Sequence, residues 1–330
     1  MGKLRLTIQS FDAAFGWLSR LSANTGARTK TLLAYAGAGA IIWFVSRGIP
    51  LAAMTNAISH AHLALFLCTS AGALAVWLLG ETLLFSRLFT YFHRRTGFRE
   101  VLIPNATQYF LQIVNLAVAH SAMILLLSRR KGVPLLTAGC TMLFQGFVDF
   151  QVLVLMALAG LALTPSFPVR GTAWYLIAVL AALCLASWFW MRGRPASSLA
   201  RYVYDLPAMS AFRRAQPWHY VRLVALRAPI FALQGLVLYL QMLAFHIHVP
   251  IGLVVALTPL IMLVTSIPLT PVGLGSEQAA ILLCFHSFGT RADLLALSLA
   301  VSLTNLIFRM ALGVGLVKPL ISSIHEATAS

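Results

Sequence analysis

The sequence predicts an all-α polytopic membrane protein, with about six spanning helices and two re-entrant or broken helical segments in an inverted repeat. Three observations predict it: the composition, the placement of the basic residues, and a proline–glycine break inside an apolar run. Of the 330 residues, 60% are hydrophobic and 10% are charged, and the mean hydropathy is +0.86. Soluble domains carry about 25% charged residues. In lipid, only helices or closed barrels satisfy every backbone polar group. Apolar runs lie near 31–47, 62–84, 104–127, 138–163, 172–191, 222–247, 251–288 and 293–317, and a spanning helix needs about 20 such residues.

In chain order, residues 1–30 come first. Leu4, Ile8, Phe11, Phe15 and Leu18 recur at helical spacing, with Lys3, Arg5 and Arg20 on other faces. That pattern predicts an amphipathic helix in the membrane interface. It is too far from the first apolar run to be a cleavable signal peptide. The membrane domain then divides into a first half over 31–163 and a second half over 172–317, with a cytoplasmic tail at 318–330.

Basic residues set the topology. Clusters fall in the N-terminal stretch, at 85–103 (Arg87, Arg94, Arg95, Arg99), at 128–137 (Arg129, Arg130, Lys131) and across 192–227. All are expected on the cytoplasmic side, together with both termini, in a cell (inner or plasma) membrane. Two of these clusters flank the single run 104–127, which also holds Gln108, Gln112, Asn115 and His120. A segment with cytoplasmic charge at both ends enters and returns, so 104–127 is predicted to be a re-entrant hairpin. Each half then contains three spans and one interrupted segment, so the second half runs inverted. Inverted repeats with discontinuous helices are an architecture of secondary transporters.

The second interrupted segment reads SIPLTPVGLGSEQAAILLCF over 266–285. Pro268 and Pro271 remove N–H donors and bias the residues before them away from helix. A helix from 251 is expected to end by Pro268, and a short one to start at 275–277. One reading is a break lining a polar cavity, with the new helix N-terminus facing an anionic group. The other is a plain loop between two spans. On the first reading the cavity candidates are Gly273, Gly275, Ser276, Glu277 and Gln278, joined by His120 and Asn115 from the first half.

Asp149 and Arg309 lie within apolar runs. A charge at the bilayer centre costs about 2.5–3.5 kcal/mol on insertion scales and seeks a partner in the bundle interior. The two are expected to pair, directly or through Gln145 and Asn305, which share their helix faces. Such a pair serves transport or only orients helices.

Several classes are excluded or disfavoured. No HExxH, GxSxG, P-loop or dinucleotide motif appears, so no catalytic residue is assigned and the chain is not expected to be an enzyme. Cys68, Cys140, Cys184 and Cys284 sit in apolar runs without metal or disulfide spacing, and no metal or other cofactor is expected. Glu81 and Arg87 are expected to anchor a helix end at the interface. Arg213, Arg214 and Trp218 suit a surface attracted to anionic lipid, so the net charge of +16 requires no nucleic acid.

IPLTPVGLGSEQAA (Ile267–Ala280), LSRRKGVPLLTAGCTMLFQGFVDF (Leu127–Phe150) and TNLIFRMALGVGL (Thr304–Leu316) together resemble the lysylphosphatidylglycerol synthase transmembrane region, also called the flippase-like or UPF0104 family. Its usual motif is close to P-x-x-P-G-G-L-G-x-R-E-A. Here Val272 replaces one glycine, and Glu277-Gln278 stands where the family has Arg-Glu. His120-Ser121 stands where its first half often has Gly-Glu. In some family members a soluble synthase domain follows, and these 330 residues are expected to work without one. The resemblance implies a lipid translocase handling an anionic or glycosylated headgroup. The alternatives are a non-transporting partner of a lipid or cell-envelope biosynthetic enzyme, and a membrane-embedded lipid transferase using Glu277 or His120.

Overall fold

The computed structural model describes residues 50–112, 116–164, 177–185, 204–206, 209–266 and 275–329, together with Trp43, Ser46, Trp174 and Tyr175. Among these residues the chain is all helical with no strand. The helices are α1 (Leu51–His60), α2 (Leu63–Phe92), α3 (Phe98–Leu111), α4 (Leu116–Lys131) and α5 (Leu135–Leu163), then a short α6 (Ser210–Arg214), α7 (Pro217–Ala244), α8 (Ile251–Ser266), α9 (Ser276–Phe285) and α10 (Arg291–Ala329). Among the described residues, four stretches are long and apolar enough to cross a membrane: α2, α5, α7 and 291–313 of α10. The predicted N-terminal helix and most of the run 31–47 lie outside the described residues. Of the run 172–191, residues 177–185 are helical.

Helix α2 extends past the predicted end at 84. Residues 85–92 of the basic stretch 85–103 are its last turns, and Arg87 lies well inside the helix. At 1.5 Å per residue its 30 residues reach about 45 Å, longer than the hydrocarbon layer. It runs antiparallel to α7. The His62 N–H donates to the Ala244 carbonyl at 2.8 Å, and at the other end the Tyr91 and His219 rings stack at 4.8 Å.

The run 104–127 folds as two helices, α3 and α4, broken at Gln112, where the structure shows a turn. Gly97 starts α3, its N–H donating to the Glu100 side chain at 2.6 Å, which is half of a capping box. Lys131, at the far end of α4, ion-pairs with Glu100 at 2.8 Å and donates to the Arg95 carbonyl at 3.2 Å. The chain therefore returns to the end of the bundle it left. Charged residues occupy the first and last turns of this hairpin, so its limits lie outside the predicted apolar core.

A second hairpin forms from α8 and α9. Helix α8 is described as far as Ser266, and α9 starts after Gly275, whose φ of 93° is a left-handed conformation that glycine adopts without strain. The irregular backbone predicted around Pro268 and Pro271 lies outside the described residues. After α9, a Cβ on Gly289 would lie 3.3 Å from the Ile247 side chain. The chain thus comes back beside the link that precedes α8, at the bundle end opposite to Glu100 and Lys131. The two hairpins enter from opposite ends.

Backbone contact fixes α8. A Cβ on Gly160 of α5 would lie 1.9 Å from the Ala256 carbonyl oxygen, and one on Gly235 of α7 would lie 2.8 Å from the Val255 Cα. Small residues at such crossings let membrane helices approach closely. Gly313 of α10 is likewise needed for the Phe110 ring, whose nearest carbon would be 2.0 Å from a Cβ there.

Candidate functional site: a buried charge centre beside a polar cavity

Arg227 lies about ten residues into α7, roughly 15 Å along its axis, and is 3% exposed. An isolated charge at that depth is costly, and this one is surrounded. Its Nη2 donates to Glu81 Oε1 on α2 at 3.1 Å and to Asp149 Oδ2 on α5 at 2.6 Å. Its guanidinium also lies 4.9 Å from the Trp77 ring and 4.8 Å from the Phe231 ring, within cation–π range. Gln145, one turn before Asp149, donates to Asp149 Oδ2.

The second carboxylate oxygen of Glu81 accepts from the Tyr109 hydroxyl at 2.9 Å. Tyr109 is on α3, and beside it Asn105 donates to Thr82 at 3.0 Å and to the Leu78 carbonyl at 3.2 Å. These bonds tie the first hairpin to α2. The Arg309 guanidinium lies 5.5 Å over the Tyr109 ring and donates through Nη1 to Gln112 Oε1 at 3.0 Å. Gln112 is the described tip of the first hairpin.

Next to this centre is a cavity of about 220 Å³, room for roughly seven waters at about 30 Å³ each. It lies between α2, α7, α8, α9 and α10, with Tyr109 at its wall. Its polar lining includes Gln234, Gln241, Thr258, Thr265, Asn305 and the two charged side chains Glu277 and Arg309. Glu277 accepts from Ser302 at 2.8 Å.

The expected pairing of Asp149 with Arg309 is corrected. Asp149 is held by Arg227, and Arg309 by Gln112. The physical reason is neighbourhood: α5 packs on α7 and α8, whereas α10 packs on α1, α2, α3 and α9. Two further assignments change. Glu81 is 7% exposed and paired, so it is not an interfacial anchor. Arg227 belongs to the buried centre, not to the basic cluster preceding α7. The sequence signal was available, because both lie within or at the edge of apolar runs, as Asp149 does.

Of the predicted cavity residues, Glu277 reaches the cavity; Asn305, expected as a support of the charge pair, lines it too. Gln278 is fully buried and serves the hairpin: its Oε1 accepts the Gly275 N–H at 2.6 Å and its Nε2 donates to Ser302 at 3.0 Å. Ser276 is buried at the start of α9. His120 is half-buried on α4 and lies in the field of Glu81, away from the cavity lining. Gly273 and Asn115 lie outside the described residues. At the α9 N-terminus, expected to attract an anion, the chain's own Gln278 accepts the Gly275 N–H, and Glu277 stands in the first turn. Arg309 is the cation that the cavity offers. Among the described residues no three His, Cys, Asp or Glu side chains converge as metal ligands.

No curated protein and no solved structure matched this chain. A family model does match, the lysylphosphatidylglycerol synthase TM region, over residues 31–313. Covering most of the chain, the match makes this multi-pass membrane protein a member of that family.

Proposed function

We propose that the protein is a lipid translocase, moving or helping to move a lipid with a polar or anionic headgroup between the leaflets of a cell membrane. The observation that carries this reading is the cavity holding Arg309 and Glu277, about 27 Å along α10 from its start in the case of Arg309. A headgroup crossing hydrocarbon must exchange its water for fixed polar groups. Arg309 suits a phosphate oxygen, with Asn305 and the cavity threonines and glutamines as neutral hydrogen-bonding partners. Glu277 suits a hydroxyl or ammonium on the same headgroup.

The two hairpins entering from opposite ends support an inverted-repeat reading, in which their tips flank a central site. On that reading the site opens alternately to either leaflet. Deleting the protein from its native membrane is expected to change the leaflet distribution of at least one anionic or glycosylated lipid. Unchanged distribution of every major lipid class would refute translocation. Stable co-purification with a lipid-synthesising enzyme in that case would favour the non-transporting partner.

A further inference from the structure

The translocase reading does not use the charge centre behind the cavity wall, and that centre is unbalanced. Glu81 and Asp149 both lean on one nitrogen, Nη2 of Arg227. Among the described residues, the Arg227 Nε and Nη1 have no hydrogen-bond partner, and neither has Asp149 Oδ1, although all three atoms are buried. Arginine stays protonated in proteins. With both carboxylates ionised, the cluster carries a net negative charge inside the bundle, where charge is least tolerated.

From α6, which packs on α5, Arg213 donates to the Tyr204 and Leu206 carbonyls and Arg214 lies in the field of His93, and α8 carries no ionisable residue. From α3, Tyr109 gives Glu81 a neutral hydroxyl. From α4, His120 lies in the field of Glu81. From α10, Arg309 stands on the far side of the Tyr109 ring and is engaged by Gln112. Glu277 on α9 adds a further negative charge beside Arg309 in the cavity. The carboxylates of Glu81, Asp149 and Glu277 therefore outnumber the guanidinium groups of Arg227 and Arg309 by one. Glu81 uses both oxygens, one for Arg227 and one for Tyr109, while Asp149 Oδ1 has no partner among the described residues.

We propose that the Glu81–Arg227–Asp149 triad is a binding site for one proton, with Asp149 Oδ1 as its acceptor. A proton drawn from the aqueous phase converts the Asp149 carboxylate to a carboxylic acid, and the triad becomes neutral. Asp149 then holds Arg227 less firmly, and the guanidinium shifts its weight to Glu81. Glu81 is bonded to Tyr109, whose ring lies under Arg309, so the change reaches the cavity wall through direct contacts. The site stands on the geometry of the triad alone, whether or not the protein moves lipid.

Infrared difference spectra of the full chain in phosphatidylcholine–phosphatidylglycerol vesicles, stepped between acid and alkaline pH, read the carbonyl stretch of protonated carboxyl groups. We expect a component that Asp149→Asn removes, that Asp149→Glu moves and that Glu81→Gln retains. A carboxyl region identical in wild type and Asp149→Asn would overturn the proposal. So would loss of the component in Glu81→Gln with retention in Asp149→Asn. Should Asp149→Asn fail to fold, Asp149→Glu decides, and an unmoved band would overturn the assignment.

Discussion

Arg227 is held by two carboxylates and two aromatic rings, and its energetics follow from burial. Replacing it with an apolar side chain leaves Glu81 and Asp149 facing each other without a counter-charge. Arg227→Met is therefore expected to destabilise the protein by about 3–5 kcal/mol, the cost of breaking a buried pair from one side. The triple variant Glu81→Gln, Asp149→Asn, Arg227→Met removes every charge together and is expected to recover most of that loss. Thermal unfolding of the purified proteins in detergent checks both. At this scale the sequence identified Asp149 and Arg309 as intramembrane charges but paired them wrongly. Burial cost is legible from hydropathy, whereas the identity of a partner depends on which helices are neighbours. Arg227 and Glu81 were misread because each stands near the edge of its apolar run, where a charge can equally reach water.

Among the elements, the two hairpins were the most legible features and their ends the least. Basic clusters on both sides of one apolar run implied a return to the same side, and Lys131 beside Glu100 and Arg95 is the contact such a return requires. The helix limits differed because charged side chains in terminal turns extend a helix beyond its apolar core. In a cysteine-free background, Arg95→Cys and Arg130→Cys are expected to label from the same side of the membrane with an impermeant thiol reagent. Labelling from opposite sides would mean that 104–127 spans. The close seating of α8 was not legible, because no single sequence marks which glycines meet another backbone. Gly160→Val and Gly235→Val are each expected to destabilise by about 1–3 kcal/mol, the usual cost of overpacking a tight interface. Gly146, with nothing within 4 Å of an added Cβ, provides the control: Gly146→Ala should leave the unfolding temperature nearly unchanged.

For the whole molecule, composition alone placed the chain in a membrane, and the family match over residues 31–313 agrees with that placement. The relation of its parts needed coordinates. Six spans were expected, and four stretches among the described residues meet the length and polarity required. The central site draws on α2, α3, α5, α7, α8, α9 and α10, so no local motif could have assembled it. Glu277 was legible because it follows a proline–glycine break. Its place opposite Arg309 in one cavity was not, since the two reach that cavity from different helices. The most direct test of translocation is leaflet exchange of a fluorescent phosphatidylglycerol in vesicles containing the purified protein, followed by an impermeant quencher. Wild-type protein is expected to expose inner-leaflet label well above the rate of protein-free vesicles. Arg309→Gln is expected to slow that exchange by about tenfold or more, the worth of one charged hydrogen bond to a headgroup. Exchange no faster than in protein-free vesicles, or equal in wild type and Arg309→Gln, would contradict the account.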